Sequence, residues 1–476
     1  MRKTKIICTI GPASDSYEMI SKLCDEGMNV ARINFSHGNH SEHKITMDKI
    51  KEVRDKKILP IPIMLDTKGP ECRIGKLKNG SINLQKGQVY TFTEDEIIGD
   101  EEKVSVSYKG FTDNLKAGDK ILVNNGLVVF LIKEIKNKSA ICEVITGGEI
   151  KNHKSMSFPG KLISGEYLGE EDKKDILFGI SEGVDFIAAS FMSNADEAKS
   201  LRKFLDENGG KSIDIIAKIE NSEGVKNIKK ICEVADGIMI ARGDLGVEID
   251  YSKVPSVQKK ILKICRRLGK RVIVATEMLE SMITNIRPTR AEASDVANAI
   301  FDEATAVMLS GETAAGNYPE LSVRAMSEII FETEKMMNYS EIFNRTKYNI
   351  NNNLDAISKS ACEMAIDTKS SAIIINSISG NTARIISKFR NPVQVVGIAK
   401  DEKVYRKLAM CWGVLPIMKS SDEEFYDTFF KENVEPVDKI AIDRLGLRTG
   451  DRIVITGGYI EHGIGKTNMI MLETIK

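Results

Sequence analysis

The feature that most constrains the fold of this chain is a short apolar run that recurs eight times, usually ahead of a helical pattern. Most of these runs lack the apolar–polar alternation of half-buried strands, as expected for parallel strands that are buried on both faces. They lie at residues 6–10, 29–33, 61–65, 185–189, 214–217, 237–240, 271–275 and 306–309. Eight parallel strand–helix units predict a closed (β/α)8 TIM barrel.

The connection between the third and fourth runs is about a hundred residues long, which is far longer than an ordinary loop. It contains short alternating segments separated by turn signals such as Asn79-Gly80 and Asn125-Gly126, and these segments lie at residues 81–84, 89–93, 104–107, 120–123, 127–132 and 140–145. This pattern predicts an inserted all-β domain, either a barrel or a sandwich. Its position at the barrel rim favours a lid.

The pattern changes again after about residue 345, where an Asn-rich linker precedes a new alternation of helix and strand. The predicted elements lie at residues 355–367, 372–376, 382–389, 393–399, 452–456 and 469–472. They indicate a small open α/β domain. The predicted organisation is a catalytic barrel at 1–69 and 167–345, a β lid at 70–166 and a C-terminal domain at 346–476.

Composition excludes several classes of protein. Lys+Arg and Asp+Glu each number 68, so no net charge favours nucleic acid or an anionic membrane. No apolar stretch reaches the roughly 20 residues of a membrane span, and the N-terminus has no signal-peptide pattern. The eight cysteines form no CxxC pair, which favours reduced thiols. We therefore expect a cytoplasmic protein.

Charged residues follow the predicted strands at the end where such barrels carry out chemistry. Lys218 and Glu220 end the fifth run, Asp244 follows the sixth, and Arg32 ends the second. Neighbouring strands lie about 5 Å apart, so Glu220 and Asp244 repel each other unless they are protonated or bridged by a cation. Carboxylate oxygens suit Mg²⁺. With two basic side chains beside it, such a site suits a small anionic substrate, and phosphate is the obvious group.

A second group of oxygen-bearing residues follows the second and third runs. It comprises Asn34, Ser36, Asp66 and Thr67. One carboxylate among several neutral oxygens has a low charge density, which suits a monovalent cation better than Mg²⁺.

Each of these residues also has a simpler interpretation. Asp244 alone could cap a helix, and Asp66 could lie in a turn. Lys218 and Glu220 could form a surface ion pair. His37 could be a solvated loop residue. The functional hypothesis depends on convergence, because the barrel brings all the strand ends to one mouth.

The chain resembles the pyruvate kinase family from residue 3 to its C-terminus, least clearly in the inserted domain. The matching segments are KTKIICTIGPAS, ARINFSHG, LDTKGPECR, AKIENSEGV, IMIARGDLGVEI, ATEMLESMI, RPTRAEASDVANAI and MLSGETAAGNYP. The resemblance implies a barrel, an inserted lid and a C-terminal α/β domain. It also implies phosphoryl transfer from phosphoenolpyruvate to ADP, the last step of glycolysis, in a homotetramer.

The resemblance further implies a role for each candidate residue. Arg32 and Lys218 would neutralise the transferring phosphoryl group, and Thr276 would lie beside the substrate and its proton path. Glu220 and Asp244 would hold Mg²⁺ or Mn²⁺, and the amides of Gly243 and Asp244 would bind the substrate carboxylate. The implied K⁺ ligands are Asn34, Ser36, Asp66 and Thr67. The implied nucleotide-side residues are Asn34, His37, Arg73 and Lys154.

Some positions depart from the family pattern. Glu71 matches the potassium-dependent subgroup, but Cys72 stands where Ile or Val is usual, and Glu277 stands where Gln is usual. Met192-Ser193 occupies a place where the family usually has an apolar residue and Arg, and Ser155 and Ser157 replace Gly and Asn. None of these changes removes a predicted catalytic residue.

A polar loop in the C-terminal domain, in IINSISGNTARIISKF, lies between a predicted strand and helix. Backbone amides at a helix N-terminus bind phosphate, although an ordinary capping turn has the same pattern. In the family this loop binds a phosphorylated allosteric effector, and the matching residues are Ser377, Ser379, Gly380, Asn381 and Thr382. A second loop with Tyr459 would close over that effector.

Two other functions remain open from the sequence alone. One is a metal-dependent carbon–carbon lyase of the phosphoenolpyruvate-binding barrels, which the inserted domain and Asp66-Thr67-Lys68 disfavour. The other is a phosphometabolite sensor on a barrel that has lost catalysis, which intact Lys218 and Glu220 disfavour.

Overall fold

The computed structural model describes residues 2–161, 166–377, 379–418, 441–443, 445–458 and 467–476. Eight parallel strands close into a barrel in the order β1-β17-β16-β15-β14-β13-β3-β2, which confirms the predicted fold. With elements numbered along the whole chain, these strands are β1 (Lys5–Thr9), β2 (Val30–Asn34), β3 (Ile63–Asp66), β13 (Phe186–Ala189), β14 (Asp214–Ile219), β15 (Gly237–Ala241), β16 (Arg271–Ala275) and β17 (Ala306–Leu309).

The barrel strands are mostly apolar because both of their faces are buried. Inward-facing residues such as Ile7, Met64 and Met239 fill the barrel interior, and Met410 of the C-terminal domain joins the same cluster. Outward-facing residues such as Ile6 pack under the surrounding helices. Burial on both sides explains why these strands read as continuous apolar runs.

Helices surround the barrel, and their ends carry the expected signals. Thr289 and Glu292 form a capping box, and Ser16 and Gly27 cap the first helix. The helices are α1 (Tyr17–Glu26), α2 (His40–Lys57), α3 (Glu170–Ser181), α4 (Ala195–Glu207), α5 (Ser222–Val234), α6 (Arg242–Glu248), α7 (Val254–Leu268), α8 (Arg290–Phe301), α9 (Gly311–Ala314), α10 (Pro319–Lys335) and α11 (Tyr339–Arg345).

The inserted domain is a curved sheet in the order β4-β12-β8-β9-β10-β6-β7, with a separate pair β11-β5. Ile74 bridges Val106, which joins the two edges of the sheet as in a barrel. The strands are β4 (Cys72–Arg73), β5 (Ser81–Leu84), β6 (Val89–Thr93), β7 (Lys103–Ser105), β8 (Lys120–Val123), β9 (Val128–Lys136), β10 (Ser139–Thr146), β11 (Gly148–Lys151) and β12 (Ser155–Ser157). All six predicted segments contain strands, whereas β4, β11 and β12 were not predicted.

The C-terminal domain has an open sheet in the order β20-β19-β18-β21-β22, of which β22 alone is antiparallel to its neighbour. Its described elements are α12 (Asn353–Asp367), β18 (Ala372–Ser377), α13 (Asn381–Lys388), β19 (Gln394–Ala399), α14 (Glu402–Leu408), β20 (Val414–Met418), β21 (Arg452–Gly457) and β22 (Met469–Thr474). Buried Arg406 pairs with Asp185 of the barrel at 2.8 Å, which docks this domain on the barrel base. Among the described residues, no helix is both long and apolar enough to cross a bilayer.

The aromatic centre of the inserted domain yields a stability prediction. Phe130 is fully buried and packs edge-on against Phe92, with ring centroids 4.9 Å apart. We expect Phe130→Ala to lower the free energy of unfolding by about 3–5 kcal/mol, because it leaves a cavity. Val89→Ala, at an exposed position of β6, is the control. Chemical denaturation measures both, and equal effects would contradict this packing.

Candidate active site

The carboxyl ends of the barrel strands bring four charged side chains together in a buried cluster. Lys218 Nζ lies 2.9 Å from Asp66 Oδ1 and 3.0 Å from Glu220 Oε1. Arg32 donates from Nε to Asp66 Oδ2 at 2.7 Å and from Nη1 to Thr9 Oγ1 at 2.8 Å. The sequence prediction that these side chains converge is supported by this geometry. The pairing of Asp66 with both cations was not predicted.

The protonation of this cluster follows from its charges. Burial alone would raise the pKa of Asp66, but Arg32 and Lys218 outweigh it and lower that pKa. Burial alone would lower the pKa of Lys218, but Asp66 and Glu220 outweigh it and raise that pKa. Lys218 is therefore a fixed ammonium group at neutral pH.

Ser190 extends the cluster and was not assigned a role from the sequence. Its Oγ accepts a hydrogen bond from Lys218 Nζ at 2.7 Å and donates to the Thr67 carbonyl at 2.6 Å. A small polar residue after a strand is a weak signal, because such residues are common in turns. Only the three-dimensional contact with Lys218 distinguishes it.

Glu220 and Asp244 form the pair predicted to hold a divalent metal. Glu220 accepts a hydrogen bond from the Phe191 amide at 2.6 Å. Burial raises the pKa of Glu220 to about 7, and the negative charge of Asp244 adds to this effect against the opposing influence of Lys218. A cation between the two carboxylates would relieve this cost, so the residues present fit Mg²⁺ or Mn²⁺. In the described part of the chain, no three His, Cys, Asp or Glu residues are grouped to hold a metal, so substrate oxygens and water would complete the shell.

The loop after β16 is held in an unusual conformation beside this pair. Thr276 and Glu277 have φ of 66° and 53°, in the left-handed region that non-glycine residues seldom adopt. Arg242 donates from Nη2 to the Thr276 carbonyl at 2.7 Å and to the Glu277 carbonyl at 2.9 Å. The Gly243 amide donates to Thr276 Oγ1 at 2.8 Å. Arg242 thus holds the strained loop, and Thr276 lies against the start of α6.

The second oxygen cluster also assembles around Asp66. Asn34 lies opposite Asp66 in the register of β2 and β3, and its Oδ1 accepts the Ser36 amide hydrogen bond at 3.1 Å. Thr67 Oγ1 accepts a hydrogen bond from the Ser190 amide at 3.2 Å. The charge of Asp66 is already paired with Arg32 and Lys218, so the other oxygens of this cluster are mainly neutral. This donor set fits a monovalent cation.

The predicted nucleotide-side residues lie on two domains: Asn34 and His37 at and after the end of β2 in the barrel, Arg73 and Lys154 in the inserted domain. Arg73 pairs with Glu71 at 2.6 Å and donates to the His153 carbonyl at 2.8 Å. Lys154 is next to Ser155, which pairs with Arg73 across β4 and β12. His37 is exposed in the loop after β2, and the structure gives its ring no contact with the cluster.

The cleft between the barrel and the inserted domain encloses about 970 Å³, part of it open to solvent. Carboxylates dominate its charged lining: Glu71, Glu166, Glu197, Glu223, Asp244 and Glu248. Ser193, at the position where the family usually has Arg, donates its amide to Glu197 at 2.6 Å. The cleft is therefore acidic at a position where the resemblance leads one to expect a cation.

The predicted effector loop precedes α13. Gly380 has φ of 75°, and Asn381 donates its amide to Ser379 Oγ at 3.4 Å. Thr382 Oγ1 lies 2.6 Å from Thr467 Oγ1. Ser377 ends β18. Tyr459 and most of the predicted second loop lie outside the described residues.

Comparisons with known proteins agree with this architecture. A family model described as pyruvate kinase, barrel domain, matches residues 1–323, and one described as pyruvate kinase, alpha/beta domain, matches residues 355–472. The chain is 44% identical over 481 residues to the pyruvate kinase of Clostridium acetobutylicum, with 100% of each chain covered. It is also 44% identical to the pyruvate kinase of Staphylococcus saprophyticus. That alignment spans 478 residues and covers 100% of this chain and 81% of the relative.

A solved structure shows the same similarity in three dimensions. A pyruvate kinase from Cryptosporidium parvum superimposes with a TM-score of 0.93 at 36% identity, over 100% of this chain and 96% of that one. The barrel, the inserted domain and the C-terminal domain are therefore shared. The chain belongs to the pyruvate kinase family of phosphotransferase enzymes.

Proposed function

We propose that the Lys218 cluster transfers a phosphoryl group from phosphoenolpyruvate to ADP, giving pyruvate and ATP. The observation that carries this proposal is a buried ammonium, Lys218, set between Asp66 and Glu220 and near Arg32 at the barrel mouth. Phosphoryl transfer needs positioning and charge neutralisation more than covalent help. A buried, permanently charged Lys218 supplies that neutralisation.

The remaining residues at the mouth orient the substrate. Arg32 and Lys218 neutralise the transferring phosphoryl oxygens, and Lys218 also stabilises the enolate oxygen that is left behind. The Gly243 and Asp244 amides, at the start of α6, bind the substrate carboxylate. Thr276, whose Oγ1 already accepts the Gly243 amide, lies beside the path by which the enolate carbon gains its proton.

Two metal ions, one divalent and one monovalent, are part of this proposal. Glu220 and Asp244 would hold Mg²⁺ or Mn²⁺, which supplies Lewis-acid stabilisation of phosphoryl oxygens when bound. The residues that would hold K⁺ are Asn34, Ser36, Asp66 and Thr67. Glu71, which matches the potassium-dependent subgroup, supports the requirement for K⁺.

The nucleotide would enter from the cleft under the inserted domain. Asn34, His37, Arg73 and Lys154 are the proposed nucleotide-side residues. Arg73 is supported by its pairing with Glu71, which lines the cleft and holds the guanidinium beside it. The acidic cleft lining favours a nucleotide that arrives with its charge partly neutralised by a divalent cation.

The regulatory and cellular assignments complete the proposal. The loop with Ser377, Ser379, Gly380, Asn381 and Thr382 would bind a phosphorylated effector, and the enzyme would act as a cytoplasmic homotetramer. All eight cysteines are free, in keeping with a reducing compartment. The domain limits 1–69 and 167–345, 70–166 and 346–476 are part of the same proposal.

Catalysis by Lys218 is tested with a pyruvate-forming assay containing phosphoenolpyruvate, ADP and Mg²⁺, with and without K⁺. We expect activity that depends on K⁺. Lys218→Met should lower kcat by about 10²–10³-fold or more, because a preorganised cation is lost. Lys226→Met, at an exposed lysine of α5, is the matched control and should retain activity. Unchanged turnover in Lys218→Met would exclude the mechanism. Absence of turnover in the wild-type protein would favour a lyase or a sensor.

The raised pKa of Glu220 predicts a pH dependence of stability. Its pKa is about 7 in the folded protein, against 4.5 for an ordinary Glu, so the folded state holds the proton more tightly. The ionised carboxylate therefore opposes folding increasingly as pH rises from about 4.5 to 7. In metal-free protein, we expect Glu220→Gln to raise Tm at pH 8, by about 2–4 °C per kcal/mol relieved, with little change at pH 5.

Thermal unfolding at the two pH values measures this effect. Glu223→Gln, on the first turn of α5, is the control and should leave Tm nearly unchanged. Added Mn²⁺ at pH 8 should raise the Tm of the wild-type protein more than that of Glu220→Gln. An equal loss of stability in Glu220→Gln at both pH values would contradict the electrostatic assignment.

A further inference from the structure

Tyr167 links the inserted domain to the Lys218 cluster through a single hydrogen bond. It lies on the segment that leads from β12 of the inserted domain back to the barrel, shortly before α3 begins. Its hydroxyl donates a hydrogen bond to the Ser190 carbonyl at 2.9 Å, across 23 positions of the sequence. The contact therefore forms only in the folded chain, and it reaches a residue that already holds Lys218.

Ser190 is the residue through which this contact reaches Lys218. Its Oγ accepts a hydrogen bond from Lys218 Nζ at 2.7 Å and donates to the Thr67 carbonyl at 2.6 Å. The Ser190 amide donates to Thr67 Oγ1 at 3.2 Å. The backbone position of Ser190 therefore sets the position of the oxygen that receives the Lys218 ammonium group.

The peptide unit between Ser190 and Phe191 is held on both sides. Its carbonyl oxygen accepts from the Tyr167 hydroxyl, and its N–H, the Phe191 amide, donates to Glu220 Oε2 at 2.6 Å. Because a peptide unit is planar, a hydrogen bond at its carbonyl fixes the direction of its N–H, and it also polarises the amide. Tyr167 thus helps to orient the backbone that contacts two members of the charged cluster.

The backbone at this position needs support from its neighbours. Phe191 has φ of 55°, a conformation that a residue other than glycine keeps only where surrounding contacts hold it. The first segment that leads to the inserted domain packs against the same peptide, since a Cβ on Gly69 would lie 2.8 Å from Ser190 Cβ. Asp172 fixes that segment by accepting the Gly69 amide at 3.1 Å. Both connections to the inserted domain therefore meet at Ser190.

The Tyr167 side chain combines a packed ring with a permanent donor. Its ring packs against the hydrophobic core of the barrel, which determines where the hydroxyl points. Burial raises the pKa of Tyr167 well above its ordinary value, and the negative charges of Glu197 and Asp172 add to this effect. The hydroxyl is therefore protonated at neutral pH. Packing and hydrogen bonding can be separated experimentally, because Phe keeps the ring and removes only the hydroxyl.

We propose that Tyr167 is a positioning residue for Lys218, which acts by holding the Ser190–Phe191 peptide so that Ser190 Oγ stays against Lys218 Nζ. This inference rests on the proposed phosphoryl transfer, in which Lys218 neutralises the transferring group. Tyr167 acts through Ser190 and not on the substrate. Because the charge that Lys218 stabilises develops in the transition state, a displaced Lys218 lowers kcat more than it raises KM.

The pyruvate-forming assay tests this role with the wild-type protein, Tyr167→Phe and Tyr90→Phe. Tyr90→Phe is the matched control, because the Tyr90 hydroxyl also donates to a backbone carbonyl, that of Asp100 at 3.1 Å, within the inserted domain. We expect Tyr167→Phe to lower kcat about three- to tenfold, with KM for phosphoenolpyruvate nearly unchanged, because one hydrogen bond that positions Lys218 is lost. Tyr90→Phe should keep the wild-type kcat, and thermal unfolding checks the folding of both variants.

A double-mutant cycle with Ser190→Ala tests whether Tyr167 acts through Ser190. Ser190→Ala removes the oxygen that receives Lys218 Nζ, so the double variant should be clearly less impaired than the two single losses combined. Losses that combine independently, or equal kcat in Tyr167→Phe and Tyr90→Phe, would overturn the inference while the wild-type protein remains active. Absence of turnover in the wild-type protein would instead overturn the proposed function, and this inference with it.

Discussion

The structure of the active site depends on one buried interaction, the contact of Lys218 with Asp66 and Glu220. Burying an ammonium group costs several kcal/mol unless its charge is well paired. Asp66 provides that pairing while also accepting from Arg32, so one carboxylate positions both cations at the barrel mouth. Glu220, which directly follows the strand that carries Lys218, completes the pairing. Arg32 and Lys218 are therefore held in place without a ligand, and under the proposed function they would need little reorganisation during the reaction.

The same cluster explains why the site suits a metal and an anion together. The site contains two positive side chains, Arg32 and Lys218, and three carboxylates, Asp66, Glu220 and Asp244. The net charge is therefore slightly negative, and the excess lies near Glu220 and Asp244. Burial raises the pKa of Glu220, and the negative charge of Asp244 adds to that effect. A divalent cation held there would remove the excess and leave a positive site for a phosphate-bearing substrate. Under the proposed function, the metal and the substrate would each reduce the electrostatic cost of binding the other.

Backbone strain accompanies this arrangement. Phe191, Thr276 and Glu277 all have positive φ, although none is glycine. Such conformations cost on the order of 1–3 kcal/mol each and persist only where surrounding contacts hold them. The Phe191 amide bonds to Glu220, and Arg242 holds the carbonyls of Thr276 and Glu277. The contacts that hold the strained backbone are made by charged side chains at the candidate active site.

The sequence was most informative where local pattern decides structure. The barrel strands were predictable because burial on both faces leaves continuous apolar runs, and strands such as Ser81–Leu84 were predictable from alternation. Short strands such as Cys72–Arg73 were missed, since two residues carry no periodicity. The candidate site residues at the strand ends could be predicted because a closed parallel barrel brings the carboxyl ends of all its strands to one mouth.

Contacts between distant segments were beyond the reach of one sequence. Asp66 was assigned to the monovalent-cation cluster, and nothing in its local sequence indicates that it also pairs with Lys218. The docking of the C-terminal domain was missed for the same reason, because Asp185 and Arg406 are distant in the sequence and pair only in the folded protein.

The most direct test of the central claim is a double-mutant cycle on Asp66 and Lys218, with kcat/KM measured for Asp66→Asn, Lys218→Met and the double variant. Because Asp66 holds Lys218 and also Arg32, we expect the double variant to be more impaired than Lys218→Met alone but clearly less impaired than the two single losses combined. Losses that add independently would show that the two residues act separately and would contradict the account.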